Sequence, residues 1–142
     1  MSDWLAVDAD LAWSHARFRD HDPVAGDYIP GAVTTTANIG LTLDHLGPWS
    51  GALRLRYFGP RPLIEDNSVR SGASALTNLR IGYKFSRRTQ LVLDVYNVFD
   101  RKVNDIEYWY ESQLPNESQV QADRHLHPSA PRSLRLTISH RF

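Results

Sequence analysis

The sequence predicts an all-β fold, specifically an antiparallel, up-and-down fragment of a transmembrane β-barrel with about six strands. Three observations lead to this prediction. Six segments alternate apolar and polar residues with the period of two that a β-strand imposes. Their lengths cluster near the roughly 9–11 residues that a tilted strand needs to cross a bilayer. Short and long connections alternate between them, as in outer-membrane barrels, which have short periplasmic turns and long extracellular loops.

The first three predicted strands show the alternation clearly. Residues 4–18 place on one face Leu5, Val7, Ala9, Leu11 and Trp13. Residues 33–44 do the same with Val33, Thr35, Ala37, Ile39, Leu41 and Leu43. In residues 50–58 the apolar positions 53, 55 and 57 alternate with Arg54 and Arg56, so one face is apolar and the other is charged.

The last three predicted strands follow the same rule. Residues 75–85 place on one face Leu79, Ile81, Tyr83 and Phe85. Residues 90–99 group Leu91, Leu93, Val95 and Phe99. The closing segment, 133–142, groups Leu134, Leu136, Ile138 and Phe142. Each apolar set alternates with polar residues, and no segment has a convincing helical period.

The connections and the aromatic residues give the predicted strands a direction. Residues 46–49 and 86–89 are short turns, whereas 19–32, 59–74 and 100–132 are long loops. If the closing strand ends on the periplasmic side, every short turn falls on that side. The aromatic residues then form two girdles, because Tyr and Trp prefer the two lipid–water interfaces. The outer girdle contains Phe18, Tyr57, Phe58 and Phe99, and the inner one contains Trp4, Trp49, Tyr83, Phe85 and Phe142.

Composition and motifs exclude several classes of function. The 16 basic residues are balanced by 16 acidic ones, so we expect no nucleic-acid partner. No apolar run is long enough for a transmembrane helix. No phosphate loop, nucleophile elbow or catalytic carboxylate pair appears, so we expect neither an enzyme nor a cofactor. Asp123, His125 and His127 lack the spacing of a strong zinc motif, and we expect no metal site there.

Two sets of polar or aromatic residues are candidates for function. Symmetry about Arg87 in the hairpin of the fourth and fifth predicted strands places Arg80 opposite Asp94, so we predict a pair on the wall of the lumen. The same symmetry places Lys84 opposite Gln90 and Asn78 opposite Tyr96. In the long loop 100–132, three adjacent aromatics between acidic residues could grip a ligand at the outer mouth, or could pack this loop on its neighbours: Tyr108, Trp109 and Tyr110.

Four stretches of the sequence resemble the C-terminal barrel of TonB-dependent receptors, which are outer-membrane transporters for siderophores, cobalamin and similar ligands. They are residues 26–31, 56–63 with 65–67, 93–100 and 132–142. The two most specific are Asn-Val-Phe-Asp at 97–100, similar to the penultimate strand of the family, and the closing strand that ends in Arg141-Phe142.

The resemblance implies a location, partners and an assembly signal. Leu134, Leu136, Ile138 and Phe142 would be recognised by the barrel assembly machinery, and the apolar face would contact the lipid of the cell outer membrane. A transporter of this class also has a plug and a barrel of roughly 22 strands. No plug, TonB-contacting segment or signal peptide is visible, so we expect residues 1–142 to be the C-terminal part of a barrel, with TonB acting only through the absent plug.

Two alternatives remain open from the sequence. A soluble β-rich ligand-binding module would use the apolar face as a packed core, since soluble antiparallel sheets also alternate faces. A small passive porin would need no plug, but six strands fall short of the minimum of about eight.

Overall fold

The computed structural model describes residues 3–142, which form β-strands and, within that range, no helix. The strands are β1 Leu5–Trp13, β2 Arg17–Asp22, β3 Gly26–Tyr28, β4 Thr35–Leu46, β5 Trp49–Phe58, β6 Ser74–Lys84, β7 Thr89–Tyr96, β8 Asn104–Ser112, β9 Gln121–Pro128 and β10 Ser133–His140. None of the described segments is a helix of the length and apolar character needed to span a membrane.

The main sheet contains six strands in the order β1-β4-β5-β6-β7-β10. Every neighbouring pair is antiparallel, and each strand lies beside the next main-sheet strand along the chain. This is an up-and-down meander, as the sequence predicted. The sheet is not closed, so β1 and β10 are its edges.

The register aligns the apolar residues of all six strands on one side, called here the apolar face. One row crosses the whole sheet and consists of Val7, Leu41, Leu53, Leu79, Val95 and Leu134. These side chains are not packed into a core: Leu53 remains 39% and Leu134 70% exposed. Among the described residues the buried hydrophobic side chain is Leu63, in a loop, at 4% exposure. A soluble module requires a packed core on this face, and the structure does not have one.

Two long segments, 14–34 and 97–132, lie at the end of the sheet that contains Trp13 and Ser133. Both contain more regular structure than the sequence predicted. The prediction of one strand over residues 4–18 was wrong, because β1 ends at Trp13 and Arg17 begins the hairpin β2–β3. The segment 100–132, which the sequence predicted as a long loop, contains the hairpin β8–β9. Pairing these segments satisfies backbone groups that would otherwise need water. This end of the sheet is called the loop end.

The opposite end, called the turn end, carries the two short turns that the sequence predicted. Leu46 pairs with Trp49 across Gly47, whose φ of +61° is one that glycine adopts without strain. In the other turn, the Ser86 hydroxyl oxygen accepts hydrogen bonds from the backbone amides of Arg88 at 3.2 Å and Thr89 at 3.1 Å. These bonds hold a tight turn whose two central residues are both arginines.

Loops at the loop end bind one another through their backbones. The Tyr28 amide donates to the Glu65 carbonyl oxygen at 3.0 Å, and the Gly31 amide donates to Pro62 at 2.8 Å. Gly26 lies at φ +94°, and a side chain there would collide with the backbone of Glu65. The hairpin β2–β3 and the segment 59–73 therefore form one layer over the end of the sheet.

Candidate ligand-binding mouth and lumen wall

The polar face of the main sheet carries charged side chains that pair across strands. Arg54 reaches over Gly40 to Asp8, with 3.2 Å between Nη1 and Oδ2. Gly40 makes this possible, because any side chain at that position would occupy the space of the Asp8 carboxylate. Two residue pairs further toward the loop end, the side-chain amide of Asn38 donates to Asp10 at 3.0 Å. Polar groups thus satisfy one another along the wall while remaining exposed.

Arg80 and Asp94 lie directly opposite each other in β6 and β7. The guanidinium group binds the carboxylate through two hydrogen bonds, from Nε to Oδ1 at 2.6 Å and from Nη2 to Oδ2 at 3.2 Å. Asp94 is only 6% exposed. On its other side stands Arg135 of β10, whose guanidinium carbon lies 5.6 Å from the centre of the Tyr96 ring. Asp94 is therefore flanked by two arginines from two strands.

The neighbouring positions of this hairpin match the predicted register only in part. Lys84 lies opposite Gln90, as the symmetry about Arg87 predicted. The regular pairing ends at Leu79 and Val95, so Asn78 and Tyr96 are outside it. Asn97 follows the end of β7 and has a φ of +49°. Its backbone amide donates to the side-chain oxygen of Asn78 at 3.0 Å.

The three aromatics of the candidate mouth lie in β8 and not in a loop. Because successive side chains of a strand point to opposite faces, Tyr108 and Tyr110 share one face and Trp109 points to the other. Both tyrosines are at least half exposed, whereas Trp109 is partly covered. Tyr110 stacks on His125 of β9, with 3.7 Å between ring centres and 9° between planes. The structure therefore offers a two-tyrosine surface and not the three-ring surface expected from the sequence.

A buried carboxylate fixes this hairpin to the neighbouring loop. Glu107 is 5% exposed and lies on the Trp109 face of β8. Its Oε1 accepts hydrogen bonds from the Asn104 side chain at 3.1 Å and from the Gly72 amide at 3.4 Å, and its Oε2 lies 3.5 Å from the guanidinium of Arg124. Arg124 also donates to the Arg70 carbonyl oxygen at 3.0 Å. No local pattern in the sequence indicates this role, because it depends on the contact between two distant segments.

Asp105 connects the same hairpin to the main sheet. Its carboxylate accepts a hydrogen bond from the Ser129 hydroxyl at 2.6 Å and lies 3.5 Å from Arg56 of β5. Its backbone carbonyl accepts a bond from Arg61 at 3.3 Å. The hairpin β8–β9 is thus held at its base by charged contacts to β5 and to the segment 59–73.

Asn97 and Asp100 form a clasp where the segment 101–131 leaves and rejoins the sheet. The side-chain nitrogen Nδ2 of Asn97 donates to the backbone carbonyl oxygens of Arg101 at 3.0 Å and Ala130 at 3.1 Å. The side-chain oxygen Oδ1 accepts a hydrogen bond from the backbone amide of Arg101 at 2.9 Å. Asp100 accepts from the Arg132 amide at 2.9 Å. Both residues have positive φ, which Asn and Asp tolerate better than most residues. The Asn-Val-Phe-Asp stretch therefore has a structural role that sequence reasoning missed.

The closing strand β10 is one of the two edges of the sheet. It pairs with β7 from Ser133 opposite Tyr96 to His140 opposite Thr89. Leu134, Leu136 and Ile138 lie on the apolar face and are exposed. Phe142 lies beyond the strand, where its ring meets His140 edge-on at 5.0 Å between centres. Among the side chains that the structure describes, at residues 3–20 and 22–142, no group of three or more His, Cys, Asp or Glu residues is placed to hold a metal ion.

The main sheet is an open antiparallel meander with one unpacked apolar face and one ion-paired polar face. It has short turns at one end and ordered hairpins at the other, which is the architecture of a segment of an outer-membrane-type β-barrel. Residues 2–98 match the family model described as TonB dependent receptor-like, beta-barrel. The chain belongs to this family.

Solved structures share the fold. The closed form of the ferric-catecholate import receptor Fiu from E. coli K12 superposes with a TM-score of 0.74 at 19% identity, over 100% of this chain and 19% of that one. The unliganded ferric citrate transporter FecA superposes with a TM-score of 0.72 at 20% identity, over 99% of this chain and 21% of that one. The copper transporter OprC superposes with a TM-score of 0.65 at 17% identity, over 100% of this chain and 22% of that one. The chain thus spans about a fifth of these structures. No curated protein sequence matches it.

Proposed function

We propose that residues 1–142 form the last strands of a receptor barrel in the cell outer membrane, and that this receptor takes up a small ligand such as a siderophore or cobalamin. The observation that carries the proposal is the apolar face, which is continuous across six strands and covered by no other part of the described chain. Such a face is stable against lipid and unfavourable against water.

The remaining barrel and the plug belong to the proposal because of the open edges. Unpaired backbone groups of β1 and β10 would cost several kcal/mol each in hydrocarbon. Further strands, lying outside residues 1–142, must therefore pair with both edges in the membrane. Under this proposal TonB acts on the plug and not on these residues. Residues 1–142 supply part of the barrel wall, part of its outer mouth and the signal for barrel assembly.

Two surfaces would handle the ligand. Tyr108 and Tyr110 offer exposed aromatic rings at the loop end, where a ligand from outside arrives first, while Trp109 and Glu107 hold the hairpin in place. The polar face, with Arg80 paired to Asp94, would then present fixed charges along the path inward. The similar structures are receptors for ferric catecholate, ferric citrate and copper, which suggests a metal complex as the ligand to try first.

Uptake by cells that make the native protein tests this function. We would measure accumulation of radioactive iron given as ferric citrate or as a ferric catecholate, and of labelled cobalamin, with and without the gene. Loss of uptake of one of these on deletion of the gene, and equally on deletion of TonB, is the expected result. If deletion of the gene changes the uptake of none of the three compounds, the proposal is contradicted for these ligands.

A matched set of aromatic variants locates the mouth. Tyr108→Ala and Tyr110→Ala should each raise the ligand concentration for half-maximal uptake roughly three- to tenfold, the effect of about 0.5–1.5 kcal/mol per aromatic contact. Tyr83→Ala, at the turn end, is the control and should leave that concentration unchanged. Equal effects of all three variants would rule out a specific role for the mouth tyrosines.

A further inference from the structure

A groove on the apolar face lies at the turn end, beside the β6–β7 hairpin. It has a volume of 530 Å³ and is lined by Trp49, Ile81, Tyr83, Phe85, Leu91, Leu93 and Leu136. The aromatic members form an edge-to-face row, with ring centres 4.6 Å apart for Trp49–Tyr83 and 4.8 Å for Tyr83–Phe85. The walls are hydrocarbon, and the aromatic row stands nearest the turn. This shape and chemistry suit an acyl chain.

A cluster of cations lies directly beyond the aromatic row. Arg87 and Arg88 occupy the tip of the turn and are exposed. Lys84 and Arg141 lie nearby on the polar side, and the Arg141 amide donates to the Arg88 carbonyl oxygen at 2.9 Å. In the part of the chain that the structure describes, none of these four side chains forms an ion pair. The tip is thus a concentrated positive charge without an internal counter-ion.

The cations and the groove lie in the order that a lipid headgroup and acyl chain require. Phe85 and both arginines belong to one turn, which is closed by the bond from the Phe85 amide to the Thr89 carbonyl oxygen at 3.0 Å, so the arginines at its tip lie beyond the aromatic row. The headgroup region on each side of a bilayer is roughly 5–8 Å thick. When the aromatic row sits at the boundary of the hydrocarbon, as aromatic girdles do, the two guanidinium groups stand at the level of the phosphates.

We propose that the β6–β7 hairpin binds one anionic phospholipid of the inner leaflet, with an acyl chain in the groove and the phosphate on Arg87 and Arg88. Guanidinium groups recognise phosphate through paired hydrogen bonds, and juxtamembrane arginines attract anionic lipids. This inference rests on the proposed membrane function. Lys84 and Arg141 raise the positive potential at the tip without contacting the lipid.

The test uses the native protein purified from outer membranes in mild detergent, with the retained phospholipids quantified by mass spectrometry. We expect phosphatidylglycerol to be enriched at least fivefold over its share in the membrane. Arg87→Gln combined with Arg88→Gln should return it to that share. The matched control, Arg101→Gln with Lys102→Gln, removes the same charge at the loop end and should keep the enrichment. Equal loss in both double variants would overturn the proposal.

A second variant separates a lipid from a free phosphate. Ile81→Phe fills the groove and leaves every charge in place, so it should lower phosphatidylglycerol retention while binding of inorganic phosphate to the delipidated protein is unchanged. If Ile81→Phe has no effect on retention, the tip binds phosphate groups of any origin and the lipid site is refuted. Absence of the protein from outer membranes would refute the proposed function, whereas presence there without lipid enrichment would refute this inference alone.

Discussion

Replacing Asn97 with alanine should release the base of the hairpin β8–β9 from the sheet. The side chain is 4% exposed and makes three hydrogen bonds to the backbone of Arg101 and Ala130. At about 1 kcal/mol for each bond, their loss costs about 3 kcal/mol. Alanine at a φ of +49° adds about 1–2 kcal/mol of backbone strain. Local opening of the hairpin base should therefore become easier by roughly 4 kcal/mol.

Amide hydrogen exchange measures this change directly. An effect of this size corresponds to exchange on the order of several hundred-fold faster, since each 1.4 kcal/mol is a factor of ten. The amides to follow are those of Arg101, which bonds to Asn97, and Ser129, which donates to the Val103 carbonyl oxygen at 2.9 Å. Amides in the middle of β5 serve as the internal control and should exchange at the wild-type rate.

Asn97→Gly provides a graded control. Glycine loses the same three side-chain hydrogen bonds but adopts the positive φ without strain. Its effect should fall between wild type and Asn97→Ala. Unchanged protection at Arg101 and Ser129 in the alanine variant would refute the clasp as the element that positions the hairpin.

Three further predictions follow from the described contacts. Glu107→Gln removes the charge that holds Arg124 and should speed proteolytic cleavage within residues 113–120 severalfold, measured by limited proteolysis; no change would show that Glu107 does not latch the hairpin. Arg80→Gln and Asp94→Asn should each lower the amount of folded protein in membranes on immunoblots, and the double variant should lose less than the two single losses combined, because the two side chains bind each other; fully additive losses would contradict a direct pair. Deleting Phe142 should reduce the amount of protein assembled in the outer membrane severalfold, with wild-type abundance as the contradicting result.

The main sheet was predictable because each of its strands has one apolar face and one polar face. In β5, Leu53 and Leu55 face one side and Arg54 and Arg56 the other, so the hydrophobic pattern alone specifies strand, register and face. The pairing of Arg80 with Asp94 follows from the same alternation once the turn at Arg87 is located.

The hairpins at the loop end could not be predicted in this way. β9 has the sequence Gln-Ala-Asp-Arg-His-Leu-His-Pro, in which polar residues occupy both faces. In β8, Trp109 stands on the same face as the charged Glu107, which obscures the alternation. The burial of Glu107 depends on segment 59–73, more than thirty residues away, and no local pattern reports it.

The central claim is that the apolar face of the main sheet meets lipid while the polar face meets water. Residues 1–142 contain no cysteine, so single cysteines can be introduced here and spin-labelled without a background signal from this part of the protein. The positions to label are consecutive residues of β7, from Leu91 to Val95. Collision with oxygen, which partitions into lipid, and with a water-soluble nickel complex is then measured in membranes.

The account predicts strict alternation along this strand. Labels at residues 91, 93 and 95 should collide mainly with oxygen, and labels at 92 and 94 mainly with the nickel complex, because β7 presents these two sets to opposite faces. Similar access of both reagents to all five positions, or a pattern without the period of two, would contradict the placement of this sheet in a membrane.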